Sequence, residues 1–128
     1  TNHRFGLFDE VMIKDNHIKS AGSIALAVDK VRDGLNSQTK IEVETQSLDE
    51  VREALEKSVD IIMLDNMTIE MIHESIKIIR GRAKVEISGC VSLERLDEIS
   101  RTGADFVSVG ALTHSAPSVD ISMNIVSS

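Results

Sequence analysis

Two patterns of hydrophobic and polar positions alternate along the 128 residues. Short runs rich in Val, Ile and other large apolar residues fall at Val11–Ile13, Ile41–Glu44, Ile61–Leu64, Val85–Ser88 and Phe106–Val109. Between them, apolar residues recur every three or four positions, the period of a helix face. Ile24, Val28, Val31 and Leu35 make the first such stripe, with Gly34 near its end to help stop it. Ser47 begins the next, with Glu50 in capping-box register and Val51, Ala54 and Leu55 on the inner face. A third starts at Thr68 and carries Ile69, Ile72, Ile76 and Ile79. Arg80 and Arg82 follow it, where the helix dipole favours cations. The last runs from Ser92 through Leu93, Leu96 and Ile99 and closes at Gly103. Strand-like runs alternating with helices predict a parallel sheet. The segment Asp120–Val126 is apolar enough to pack, but its pattern fits no single element.

The run "DIIMLDN", Asp60–Asn66, is the centre of this pattern. Its four consecutive apolar residues are too few for a helix and suit a strand buried on both faces. The run ends on Asp65, and in parallel α/β folds ligands sit at the carboxyl ends of strands. The other runs also end on groups with chemistry: Lys14, Glu44, Ser88–Gly89 and Gly110. No G-x-G-x-x-G follows the first strand, so the dinucleotide fingerprint of a doubly wound sheet is missing. A barrel closes with eight βα units and ~250 residues. Five units in this length predict an α/β chain forming a partial (β/α) barrel with parallel strands, with residues 1–128 as one incomplete domain.

Composition narrows the class. The chain is 41% hydrophobic and 27% charged with one Pro, which is core-forming material rather than a disordered tail. A net charge of -7 argues against a general nucleic-acid binder. No apolar run approaches the ~20 residues of a membrane span. Cys90 is the only cysteine, so an internal disulfide and a cysteine-based zinc site are excluded, and a cytoplasmic enzyme or a piece of one fits best. The start at Thr1 without Met suggests a fragment.

In a barrel the five strand ends converge on one mouth. Glu44 and Asp65 on neighbouring strands would bring hard oxygen ligands together, suited to Mg²⁺ that also touches substrate phosphate. The same carboxylates could hold ribose hydroxyls or stabilise a developing oxocarbenium charge; otherwise they are surface acids at βα loops. The turns "SGC" and "VGALTHS" leave backbone N–H groups free to cradle a phosphate. The basic cluster His3, Arg4, Lys14, His17 and Lys19 could neutralise a dianionic substrate, with Arg4 offering a planar fork to a carboxylate, or could simply be solvated. His17, in "DNH", reads as structural. His114 could reach a phosphate or be a satisfied loop histidine, and Cys90 reads as part of the turn rather than a nucleophile.

The motifs "NHRFGLFDEVMIKDNHI", "IEVET", "DIIMLDN", "EISG" and "VGALTHS", followed by "VDIS", stand here in order. Together they resemble the C-terminal domain of the quinolinate phosphoribosyltransferase family, over nearly the whole chain. The resemblance implies transfer of a phosphoribosyl group from phosphoribosyl pyrophosphate to quinolinate, with Mg²⁺ and decarboxylation, giving nicotinate mononucleotide, pyrophosphate and carbon dioxide in NAD biosynthesis. It implies that His3, Arg4 and Lys14 bind the quinolinate carboxylates. Glu44 and Asp65 would bind the ribose hydroxyls, directly or through metal, and Ser88, Gly89, Val109, Gly110 and Ala111 the 5′-phosphate, with His114 beside them. Lys14, Glu44 and Asp65 form the implied catalytic set.

The resemblance also implies a homodimer or higher homo-oligomer, and a parent protein with an N-terminal sandwich domain and first barrel strands that this chain lacks. Those parts carry an Arg/Lys-rich substrate motif and an arginine that reaches into the partner subunit's site. The isolated piece is therefore expected to be inactive. It is also expected to self-associate, through open strand edges and an uncovered apolar barrel interior. Cys90 departs from the Gly or Asn more common there in the family, which weakens the phosphate assignment for that turn. A nicotinate-type phosphoribosyltransferase and a non-catalytic phosphate-ester-binding domain are the alternative readings.

Overall fold

The apolar runs become five parallel strands, hydrogen-bonded in the order in which they occur along the chain. They are β1 (Glu10–Ile13), β2 (Lys40–Thr45), β3 (Ile61–Asp65), β4 (Lys84–Cys90) and β5 (Phe106–Val109). The structure, a computed structural model, describes residues 10–34, 38–90 and 92–109. A doubly wound sheet reverses its strand order at a switch point. Here the order β1-β2-β3-β4-β5 never reverses, as in an arc of a barrel.

Five helices connect the strands: α1 (Asp15–Ala21), α2 (Ile24–Asp33), α3 (Leu48–Glu56), α4 (Ile69–Ile79) and α5 (Leu93–Ser100). Four begin at a hydroxyl that accepts from an orphan backbone N–H of the first turn: Ser23 from Leu26, Ser47 from Glu50, Thr68 from Met71 and Ser92 from Arg95. The capping box expected at Ser47 is displaced by one residue, since Glu50 Oε1 accepts from the Gln46 N–H at 2.6 Å. Arg82, expected near the end of α4, donates to the carbonyls of Ile78 and Ile79 there. Helix α1 has no counterpart in the sequence pattern. Its seven residues bury only Ile18, so there is no stripe to read. Leu35 and Asp120–Val126 lie outside the described residues.

Partners in parallel register share a face of the sheet. One face presents Ile13, Ile41, Val43, Ile62, Leu64, Val85, Ile87 and Val107, all in one buried cluster with Val28, Val51, Ala54, Ile72, Ile79 and Ile99 of the helices. Full burial of each such side chain contributes about 1.5–3 kcal/mol. Removing one would also leave a cavity.

The opposite face, the inside of the arc, differs from the apolar, uncovered interior expected. Glu42 is fully buried and Glu86 is 4% exposed, alongside buried Ile61, Met63 and Phe106. The cause is the period of two in "KIEVET" and "KVEIS". Every second residue of β2, and of β4 as far as Glu86, is charged, and register turns those residues inward. The apolar part of this face comes from β1, β3 and β5.

The starts of β3 and β5 repeat one device. Asp60 accepts from the Ile41 N–H through its carboxylate at 2.9 Å, and Asp105 does the same for the Val85 N–H at 2.9 Å. Each side chain thus ties the start of its own strand to its neighbour and helps fix the register that aligns the opposite ends.

Candidate active site

Lys14, Glu44, Asp65 and Ser88–Gly89 all lie at the carboxyl end of the sheet, and Val109 ends β5 on the same side. Glu44 pairs in register with Met63, so Asp65, two residues further along β3, is its diagonal neighbour on the inner face. The two carboxyl groups stand close enough for each to oppose the other's charge. Partial burial and this contact with Asp65 push the Glu44 carboxyl above the ordinary glutamate range, with Asp15 adding repulsion. The bond from the Asp15 backbone N–H, 3.1 Å to Glu44 Oε1, opposes the rise. Gln46 donates to Asp65 Oδ2 at 3.3 Å.

Lys14 stands between β1 and α1 and is exposed. It directly follows Ile13, which pairs with Val43, the residue before Glu44. Its own backbone N–H donates to His17 Nδ1 at 3.1 Å, so His17 has the structural role expected of it, in fastening the first turn of α1.

On the other side of Asp65, β3 and β4 are knitted together beyond their last regular pair. Asn66 takes a left-handed conformation, φ 58°, and its N–H donates to the Ser88 carbonyl at 3.1 Å. Gly89 has φ +100°, and a Cβ there would stand 3.1–3.3 Å from Asn66 atoms. The same position breaks the β4–β5 register with a bulge between Ser88 and Cys90. Bulges of this kind re-aim a strand end and are frequent beside active sites. Helix α5 begins shortly after it in sequence, with Ser92 as its N-cap.

Sequence reasoning thus named the strand ends that the structure brings together. It missed Asp15, Gln46 and Asn66, which hold Glu44, Asp65 and Gly89 in place. Only Asn66 left a signal, an Asn directly after a strand, where the left-handed conformation is tolerated. His3, Arg4, Gly110, Ala111 and His114 lie outside the described residues.

Among the described residues no group of three or more His, Cys, Asp or Glu side chains could hold a metal ion. Glu44 and Asp65 are instead a two-carboxylate set, hard in character, with like charges opposed at short range. That fits Mg²⁺, which keeps waters and shares its shell with substrate oxygens rather than filling a protein cage.

The profile described as "Quinolinate phosphoribosyl transferase, C-terminal domain" matches residues 1–124. The chain belongs to this family. A probable nicotinate-nucleotide pyrophosphorylase (carboxylating) of Synechocystis sp. is 48% identical over 128 residues, covering 98% of this chain and 43% of the relative. The corresponding Bacillus subtilis protein is 43% identical over 124 residues, covering 97% of this chain and 43% of the relative. The NadC crystal structure from Streptococcus pyogenes superposes with a TM-score of 0.77 at 40% identity, covering 97% of this chain and 41% of that one. This member of the quinolinate phosphoribosyl transferase family therefore spans less than half the length of the relatives it matches.

Proposed function

We propose that the polypeptide to which this chain belongs transfers a phosphoribosyl group from phosphoribosyl pyrophosphate to quinolinate and decarboxylates the product, yielding nicotinate mononucleotide in NAD biosynthesis. The observation that carries this reading is the Glu44–Asp65 carboxyl pair beside the Gly89 turn, at one end of a parallel sheet. A ribose would rest on the two acids, with its 5′-phosphate toward the Ser88–Gly89 turn and the N-terminus of α5.

The chemistry follows from charge. The pyridine nitrogen attacks the anomeric carbon as the carbon–oxygen bond to pyrophosphate breaks, and its electron pair leaves with pyrophosphate. Positive charge grows on the ribose during this step, and carboxylates preorganised beside it stabilise the transition state more than the ground state. Glu44, held by the Asp15 N–H, and Asp65, held by Gln46, need little reorganisation to do so. The ribosylated ring then accepts the electrons of the carbon–carboxylate bond as carbon dioxide leaves, and that carbon takes up a proton. No side-chain nucleophile is required. Lys14, with His3 and Arg4, would neutralise the two quinolinate carboxylates. Mg²⁺ held by Glu44 and Asp65 would supply positive charge to ribose and pyrophosphate oxygens.

A homodimer or larger homo-oligomer belongs to the same proposal. So does a cytoplasmic location, supported by a single cysteine and hence no disulfide within the chain. No helix among the described residues is long and apolar enough to cross a membrane. Relatives from Arabidopsis thaliana and Nicotiana glauca carry "chloroplastic" and "mitochondrial" in their names.

The test is an assay of the full-length polypeptide with phosphoribosyl pyrophosphate, Mg²⁺ and either quinolinate or nicotinate, measuring pyrophosphate and carbon dioxide separately. Equal release of both products with quinolinate, and neither with nicotinate, is expected. Turnover of nicotinate would favour the enzyme that does not decarboxylate. Binding of substrate without turnover would favour a non-catalytic domain.

A further inference from the structure

One buried acid has no part in that chemistry. Glu86 lies on the inner face of β4, two residues before Ser88, level with Met63 of β3 and Phe106 of β5. It is 4% exposed. One carboxylate oxygen, Oε2, accepts from the Ser108 hydroxyl. The other, Oε1, is buried with no hydrogen bond. Leaving an acceptor in this state is costly, and a carboxylate buried without a counter-charge more so.

Among the described residues, the cations near it do not serve. Lys40 and Lys84 share this face but sit at the strand starts, exposed. Lys14 is exposed at the mouth. Five more cations are engaged on the outer helices, where Lys19 pairs with Asp15, Arg52 with Asp49, Lys57 with Asp29, Lys77 with Glu74 and Arg101 with Asp97. Among the described residues the inner face carries Glu10, Glu42, Glu44, Asp65 and Glu86, of which Glu10 and Glu42 already have interactions of their own, against Lys40 and Lys84 at the strand starts. Its charge is complementary to a basic partner, and the relatives have more than half of their length outside the matched region.

We propose that Glu86 Oε1 is the acceptor for a Lys or Arg side chain delivered into the barrel interior by the part of the longer polypeptide that completes the barrel. The pair would lock the arc to its complement below the mouth, while the Ser108 bond holds the carboxylate in the orientation that receives it. This assignment rests on burial, register and charge, and stands whether or not the quinolinate reaction is the right one.

A structure of the full-length polypeptide tests it directly. A Lys Nζ or an Arg guanidinium nitrogen within ion-pair distance of Glu86 Oε1 is expected. A hydroxyl, a peptide N–H, a water or a bound ligand in that place overturns the proposal. Two substitutions in the same polypeptide give a solution readout. Glu86→Gln keeps an acceptor for Ser108 but removes the charge and turns an N–H₂ toward the cation, whereas Ser108→Ala removes only the hydroxyl. Breaking a buried pair should lower the folded-to-unfolded ratio about a hundredfold or more. Ser108→Ala should lower it far less. Equal effects of the two substitutions, or a neutral Glu86→Gln, would leave Glu86 as no more than a support for Ser108.

Discussion

Asn66 occupies the space that a side chain on Gly89 would need. A Cβ on Gly89 would lie 3.1 Å from Asn66 Oδ1, 3.2 Å from its backbone nitrogen and 3.3 Å from its Cα. Because two of those three atoms are backbone, the neighbour cannot swing aside. The Asn66 N–H is also committed to the Ser88 carbonyl, which holds the two strand ends in contact.

Gly89→Ala should therefore cost more than backbone strain alone. A non-glycine residue held at such a φ costs about 1–3 kcal/mol, and the clash adds to it. Gly103 is the control, with φ +93° and open space, nothing within 4 Å, where its Cβ would stand. Chemical denaturation should show Gly89→Ala clearly less stable than Gly103→Ala. Equal losses would mean that Asn66 gives way freely.

The pH dependence of Glu44 has a definite sign. Its carboxyl is raised above the ordinary value, first by burial and then by Asp65 and Asp15, so the folded state binds more protons than the unfolded chain there. Stability linked to this group is fully present below the unfolded glutamate value. It is lost as pH rises through the raised folded value. Glu44→Gln should flatten that part of the profile, gaining relative to wild type at neutral pH and losing the advantage in acid. Thermal unfolding from acid to neutral pH measures this, and parallel curves for the two proteins would refute it.

Much of this arrangement is legible in the sequence because strands and helices here obey their own periods. The four-residue apolar run of β3 and the Ile stripe of α4 admit one reading each. Glu44 and Asp65 could be placed together because each closes such a run. Glu42 and Glu86 could not be recognised as buried, since charge at every second position looks the same on an inner face as on a solvated one. Helix α1, with one buried side chain, and the backbone bond from Asp15 to Glu44 depend on tertiary packing that no local pattern encodes.

Helix α4 follows directly from the Asp65 loop, and its start depends on Thr68, whose hydroxyl accepts from the Met71 N–H at 3.2 Å. Thr68→Ala should cost about 1 kcal/mol. A roughly threefold or greater loss of affinity for phosphoribosyl pyrophosphate in the full-length protein would show that the cap also steadies Asp65. Denaturation and calorimetry on the same variant separate the two effects.

Lys14 offers a sharper separation between ligands. It is exposed, and it follows Ile13, which pairs with Val43, the residue before Glu44. In the full-length polypeptide, Lys14→Ala should weaken quinolinate by about 1.5–3 kcal/mol, the range for hydrogen bonds to charged groups, and phosphoribosyl pyrophosphate by much less. Calorimetry with each ligand decides the matter. Equal weakening would remove Lys14 from the dicarboxylate site.

The last prediction concerns the 128-residue chain on its own. Among the described residues β1 and β5 each have a single strand neighbour, so each presents one backbone edge to pair with another chain. An apolar interior would have offered a second route to association, but the inner face carries Glu42 and Glu86, both buried, and its remaining acids would repel a second copy. Association should therefore run edge to edge. Light scattering after size exclusion should find dimers or larger species that persist when salt is raised, since backbone pairing is not screened. Proline at Met12, within β1, should reduce them, because it removes a backbone donor. Dimers that form only in high salt would instead point to the inner acidic faces meeting once their repulsion is screened.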